Sequence, residues 1–145
     1  MKVLFICTGN TCRSPMAEGL LKDMAKKNNL ETEVKSAGVF ADDGGHVSEN
    51  ALSALEEMGI DISNHRSQSV NKELVEQADL ILTMSKSHKE SLILNYPHIK
   101  EKVFLLNEYA FDRARDIADP FGKRLSDYKI VRDEIMRALS KIKWE

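Results

Sequence analysis

The chain has almost no cysteine. Its 145 residues include two, Cys7 and Cys12, both in one short segment, which excludes a disulfide framework. Histidine is scarce as well: His46, His65, His88 and His98 are scattered and show no ligand spacing, so zinc is not expected, and no other metal or cofactor is called for. An excess of one charge is also missing. The net charge is −2 and no basic run is long enough to form a patch, so nucleic acid is not an expected partner. No apolar stretch approaches the ~18 residues that cross a membrane, and no charged segment followed by an apolar run marks a signal peptide. The expectation is a cytoplasmic protein with no membrane attachment. Repeats, low-complexity segments and linkers are absent. What remains fits one domain over residues 1–145, 42% hydrophobic and 30% charged. That length is enough to bury ~68–70% of the unfolded surface, and a monomer is expected.

Hydrophobic patterning divides this domain into alternating elements. Lys2 to Ile6 reads as a short buried strand, rich in branched and aromatic residues. Pro15 to Lys27 is helical, with Met16, Leu20, Leu21 and Met24 on one face. Glu31 to Ala37 alternates as a second strand, stopped by Gly38. Ser48 caps a helix through Met58 that Gly59 closes, and Asn71 caps a short helix to Gln77. A third strand covers Asp79 to Met84. Ser85 caps a helix ending before Pro97, and Lys102 to Leu106 is a fourth strand. Ser126 to Lys143 is the last helix, with Tyr128, Val131, Ile135, Leu139 and Ile142 at helical spacing. Strands alternating with helices predict an α/β fold, a parallel sheet with helices on both faces. Such sheets bind ligands outside the carboxyl ends of their strands.

The first strand ends on Cys7, and the run continues Thr8-Gly9-Asn10-Thr11-Cys12-Arg13-Ser14-Pro15. Gly9 takes positive φ at no steric cost, and Asn10 tolerates the left-handed region. Successive turn residues aim their N–H groups into one concavity, a nest for an anion. Ser14 is a good N-cap and Pro15 suits the first helical position, so a helix dipole converges on the same point. Arg13 adds a planar fork that binds two phosphate oxygens at once. The same field favours the thiolate of Cys7, and Ser14 is placed to donate its hydroxyl to that sulfur. Cys12 reads in two ways, as a resolving thiol for Cys7 under oxidation or as a small buried loop residue.

A thiolate that hydrolyses a phosphoryl compound needs an acid for the leaving group and then a base for water. Carboxylates are many. Asp119 stands out because Pro120 stiffens its loop and Phe121 offers an aromatic wall, although an ordinary Asp-Pro turn has the same sequence.

Along essentially its whole length the chain resembles the low-molecular-weight protein tyrosine phosphatase family. The matching motifs are Cys7 to Pro15, Ser36-Ala37-Gly38 and Asp119-Pro120-Phe121. The resemblance implies a single flavodoxin-like domain with a four-stranded parallel sheet. It implies Cys7 as nucleophile forming a cysteinyl-phosphate, Arg13 and the loop amides as phosphoryl ligands, and Asp119 as general acid and then base. Asn10, Ser36 and His65 match positions that brace the loop. Phosphorylated proteins are the implied substrates.

Within the family, tyrosine-specific members often carry a bulky aliphatic residue where this chain has Thr11, and two tyrosines where it has Phe121-Gly122. Thr11 resembles the residue of the protein-arginine phosphatase branch, as does Phe40 on the pocket rim. A threonine hydroxyl makes a polar contact with a guanidinium that isoleucine cannot make. Phosphoarginine is therefore the expected substrate, with phosphotyrosine the alternative. Arsenate reduction, which in this family uses further cysteines downstream, fits less well. A non-catalytic phosphate-binding or redox-sensing module would need no Asp119.

Overall fold

The computed structural model describes residues 1–144. Four strands form one parallel sheet in the order β2-β1-β3-β4: β1 (Lys2–Cys7), β2 (Glu33–Gly38), β3 (Leu80–Thr83) and β4 (Val103–Leu105). The helices are α1 (Arg13–Lys27), α2 (Glu49–Glu56), α3 (Lys72–Gln77), α4 (Lys86–Asn95), α5 (Leu106–Phe111) and α6 (Leu125–Lys141). With β1 in the middle, its side chains alternate between two apolar layers. Val3, Phe5 and Cys7 pack with Met16, Leu20, Leu55, Ile135 and Leu139 from α1, α2 and α6. Leu4 and Ile6 pack on the other face with Val75 of α3 and Leu92 of α4. This is the covered parallel sheet expected from the alternating pattern, and burial on both faces is why β1 reads as a nearly unbroken apolar run.

The chain reverses its sheet order beside β1: β2 lies on one side of it and β3 on the other. Loops leaving the carboxyl ends diverge at such a switch point and open a crevice. Cys7 sits at that end of β1, paired in register with Gly38 of β2. The segments after both strands then run together, Val39 N–H donating to the Cys7 carbonyl at 3.0 Å and Phe40 N–H to the Thr8 carbonyl at 2.9 Å.

Several local expectations are corrected. Helix α1 begins at Arg13 after Cys12, with no side-chain cap. Ser14 lies inside the first turn and its hydroxyl is engaged elsewhere, so Pro15 is the third helical residue, still within the turn where a missing N–H is harmless. The left-handed residue of the loop is Asn10 at φ 57°, while Gly9 is not among the positive-φ glycines. Helix α2 stops at Glu56, with Gly59 at φ 77° closing the turn. The apolar run at 102–106 is split: a 3-10 turn over Pro97–Lys102 precedes β4, and Leu106 opens α5. Both departures are short pieces fixed by packing, which single-residue propensity does not resolve.

Gly38 carries the close approach of the two strand ends. A Cβ there would press on the Thr8 carbonyl oxygen and stand 2.8 Å from the Ala41 Cβ and 3.1 Å from Asn10 N. Two of these neighbours are backbone, so neither swings away. Gly38→Ala is expected to cost about 1–3 kcal/mol, seen as a drop in Tm on the order of 5 °C, and to displace the loop after β1. Thermal denaturation with amide-proton NMR of residues 8–13 checks both effects.

Candidate functional site

The loop from Cys7 to Arg13 closes around the side chain of Asn10, which is fully buried. Its Nδ2 donates to Ser14 Oγ at 2.8 Å and to Ser36 Oγ at 2.9 Å. Its Oδ1 accepts from Gln68 N–H at 3.0 Å. Its carbonyl oxygen lies 2.8 Å from His65 Nε2, and because a carbonyl only accepts, that ring nitrogen carries the hydrogen. Ser36 passes its own hydroxyl hydrogen to Glu18 Oε1 in a short bond. The Glu18 carboxylate also ion-pairs with Lys22 at 2.6 Å. The turn that the left-handed Asn10 begins is thereby fixed from α1, β2 and the segment before α3.

This network also sets a hydroxyl against the sulfur. Ser14 Oγ, which accepts from Asn10 Nδ2 at 2.8 Å, lies 2.9 Å from Cys7 Sγ, within hydrogen-bond distance. The sequence expectation that Ser14 serves Cys7 is met, although the residue is not the cap. Cys12, by contrast, turns away into the core. Its Sγ is 3.4 Å from both Ser48 Oγ and the Tyr128 hydroxyl, and both cysteines are free thiols. Burial, with the Cys12 contact second, pushes the Tyr128 phenol up to about 12, so Tyr128 is a neutral group facing that sulfur.

Arg13 is 5% exposed. One nitrogen of its fork donates to the Ile117 carbonyl at 2.9 Å, and Nη2 stands 3.7 Å from Asp119 Oδ2. Anchoring on a backbone carbonyl fixes the plane of the guanidinium, and the other fork nitrogen is aimed at the cleft. Asp119 has a half-exposed side chain, whose Oδ1 accepts from Phe121 N–H at 3.1 Å. A cleft of about 240 Å³ is lined by Cys7, Thr8, Gly9, Thr11, Cys12, Arg13, Asp119 and Phe121. These residues bring a free thiol, a loop of backbone amides, an anchored guanidinium and a carboxylate into one recess, groups of the kind that phosphoryl transfer through sulfur would use.

Phe40 is the exception among the expected wall residues. Its backbone is tied to Thr8, but its side chain is 86% exposed and does not line the cleft. Ser36 and His65 sit behind the loop as expected of bracing residues. They border a larger cavity of about 500 Å³ on the far side of α1 that none of residues 7–13 lines. Among the described residues no cluster of His, Cys, Asp or Glu has the grouping a metal needs.

Sequence reading missed Glu18, Gln68, Ile117 and His88, each joined to the site from distant sequence. His88 had a local signal. Ser85 caps α4, and the residue three further on completes a reciprocal capping box, with His88 Nδ1 accepting from Ser85 N–H at 3.1 Å. The other ring nitrogen lies 2.8 Å from Thr8 Oγ1. Burial, reinforced by the Arg13 charge, holds the His88 imidazole down at about 4 from its ordinary 6.5.

A family model described as low molecular weight phosphotyrosine protein phosphatase matches residues 2–144. A protein-arginine-phosphatase of Bacillus subtilis is 43% identical over 142 residues, 98% of this chain and 94% of that protein. A solved structure of the arginine phosphatase YwlE, a cysteine-to-serine mutant with a phosphorylated active-site serine, superposes with TM-score 0.93 at 42% identity, covering 97% of this chain and 94% of that one. A low molecular weight protein tyrosine phosphatase from T. tengcongensis superposes with TM-score 0.94 at 45% identity, covering 97% and 96%.

The lowered His88 value has a thermodynamic consequence. Between about 6.5 and about 4 the unfolded chain takes up a proton that the folded chain refuses, so this contribution is complete above pH 6.5 and is lost as pH falls through that window. Its full size is on the order of 3 kcal/mol. Urea denaturation at pH 7.5 and 4.5 should show wild type losing about 1–3 kcal/mol more than His88→Gln over the same interval.

Proposed function

Because the chain belongs to the low molecular weight phosphotyrosine protein phosphatase family, we propose that the cleft at the end of β1 hydrolyses phosphoarginine side chains through a cysteinyl-phosphate. The enzyme is a cysteine-dependent protein phosphatase. The assignment of phosphoarginine and the role of each residue are our reading. The observation that carries the chemistry is the run of contacts from Asn10 Nδ2 through Ser14 Oγ to Cys7 Sγ, at 2.8 and 2.9 Å, together with the Arg13–Asp119 pair on the same cleft.

The phosphoryl dianion enters the loop, where Arg13, the amides of Thr8 to Cys12 and the N-terminus of α1 hold its equatorial oxygens. Cys7 Sγ attacks phosphorus in line. The phosphorus–nitrogen bond breaks, and Asp119 in its acid form delivers a proton to the departing guanidine nitrogen. The resulting Asp119 carboxylate then takes a proton from water. The water oxygen attacks phosphorus, the phosphorus–sulfur bond breaks, and the thiolate returns with orthophosphate as product. Ser14 donates to the sulfur as it leaves. The mutant of the relative that carries phosphate on a serine in place of cysteine supports assigning the intermediate to Cys7.

Substrate choice rests on the wall. Thr11 lines the cleft beside Asp119 and Phe121, so a guanidinium meets a hydroxyl, a carboxylate and a ring face. The protein-arginine-phosphatase at 43% identity supports this reading, while the T. tengcongensis protein at 45% keeps phosphotyrosine as the second. Arsenate reduction is disfavoured, since no cysteine follows Cys12 in the 145 residues. We read residues 1–145 as one phosphatase domain, a cytoplasmic monomer acting on phosphorylated proteins. No helix among the described residues is long and apolar enough to cross a membrane.

Cys7→Ser should abolish turnover while keeping phosphate affinity, measured by phosphate release and calorimetry. Asp119→Asn should lower kcat ~10²–10⁴-fold, and unchanged activity would remove Asp119 from the mechanism. Phosphate release from phosphoarginine and phosphotyrosine peptides of one sequence tests the substrate. Wild type should favour phosphoarginine and Thr11→Ile should reverse the preference. A wild-type preference for phosphotyrosine that Thr11→Ile leaves unchanged would return the enzyme to the tyrosine-specific class.

A further inference from the structure

The bond between Thr8 and His88 joins the cleft to the start of α4, and the mechanism above makes no use of it. Thr8 follows the nucleophile, is exposed, and lines the cleft with Thr11. Its hydroxyl has one partner among the described residues, His88 Nε2 at 2.8 Å. His88 is 2% exposed. Its Nδ1 accepts the Ser85 N–H and therefore bears no hydrogen, which places the ring hydrogen on Nε2. That Nε2–H donates to Thr8 Oγ1 and occupies one of its two lone pairs. One lone pair and the hydroxyl hydrogen remain, held in a fixed direction at the wall of the cleft. The Ser85–His88 capping box fixes the ring, so the hydroxyl inherits its orientation from the first turn of α4. The charged groups around the imidazole are Arg13, Asp116 and Asp119. Asp116 is held by Lys86 N–H at 2.9 Å.

We infer that Thr8 is a second specificity residue for the guanidinium, and that His88 is the residue that positions it. A guanidinium carries only N–H donors, and the remaining Thr8 lone pair is an acceptor for one of them. A phenyl ring has no such donor and gains nothing from the Thr8 lone pair, which stays with water, so the contact favours the guanidinium alone. Thr8 and Thr11 then act as paired hydroxyls on either side of Gly9-Asn10. The inference rests on the phosphoarginine reading and adds to it a residue pair that spans 80 positions of sequence.

The test is kcat/KM of the full chain at pH 7.5 on phosphoarginine and phosphotyrosine peptides of one sequence, for wild type, Thr8→Val, His88→Ala, the double variant and His88→Gln, each with a thermal melt. Thr8 is exposed, so Thr8→Val leaves the packing of the core in place, and with its own melt it carries the test even where His88→Ala does not fold. Each single substitution should lower phosphoarginine turnover about tenfold and leave phosphotyrosine turnover within about twofold. The double variant should be no worse than either single one, because the two residues act as one unit. His88→Gln, which keeps a side-chain N–H donor, should recover part of the loss. A wild type that prefers phosphoarginine together with an unchanged substrate ratio in Thr8→Val overturns the inference and leaves the phosphoarginine reading standing. Multiplying losses in the double variant, or a Gln variant no better than Ala, overturns the positioning role. A wild-type preference for phosphotyrosine overturns the phosphoarginine reading and this inference together.

Discussion

A buried side chain amide must find partners for all its polar atoms, and Asn10 finds them at the one point where the chain turns left-handed. An unsatisfied amide there would cost roughly 1–3 kcal/mol, and the turn itself is strained for any residue but glycine, asparagine or aspartate. The loop conformation and the hydrogen-bond network therefore require each other. Ser14, Ser36, Gln68 and His65 are in place because Asn10 needs them, and Asn10 holds φ 57° because they are in place. The bracing residues come from three different segments, so the loop geometry reports the correct assembly of α1, β2 and the stretch before α3.

The same constraint reaches the sulfur. Asn10 Nδ2 donates to Ser14 Oγ, which holds that hydroxyl 2.9 Å from Cys7 Sγ. Arg13 follows the same logic by a different route, since a backbone carbonyl, that of Ile117, fixes its fork. A bond to a main-chain oxygen ties the cation to the framework and leaves the neighbouring Asp119 carboxylate at 3.7 Å without a direct hydrogen bond to it. Positive charge is thus held ready for an anion, which is how preorganised sites avoid reorganising during the reaction.

The sheet, its parallel sense and the position of Cys7 were legible because burial on both faces writes a continuous apolar run, and a cysteine at its end followed by Gly, Asn and Arg is hard to place elsewhere. Ser14 was read both as a cap and as a partner of the Cys7 sulfur, and only the second placement holds, because α1 starts one residue earlier. Both Gly9 and Asn10 suited the left-handed region by sequence, and it is Asn10 that holds it, with its side-chain amide bonded on both sides. Phe40 was expected on the rim, but strand-end hydrogen bonding places its backbone and leaves its ring in solvent. Glu18, Gln68 and Ile117 were invisible as site residues because their contacts join separate segments, and for His88 the capping box with Ser85 marked the ring's place on α4 but not its contact with Thr8.

The cleft is built from two kinds of material. The half built on the loop is braced from behind by the buried Asn10 and its partners Ser14, Ser36, Gln68 and His65, so a substitution at one of these positions disturbs several others. The other half, Asp119 with Phe121, rides on a connecting segment whose side chains stand largely in solvent and whose carboxylate accepts one main-chain amide hydrogen. Selection therefore encounters a stiff inheritance on one side and a permissive one on the other. A lineage with this architecture diversifies by trading the outer wall, and its nucleophile passes from one substrate to the next unaltered.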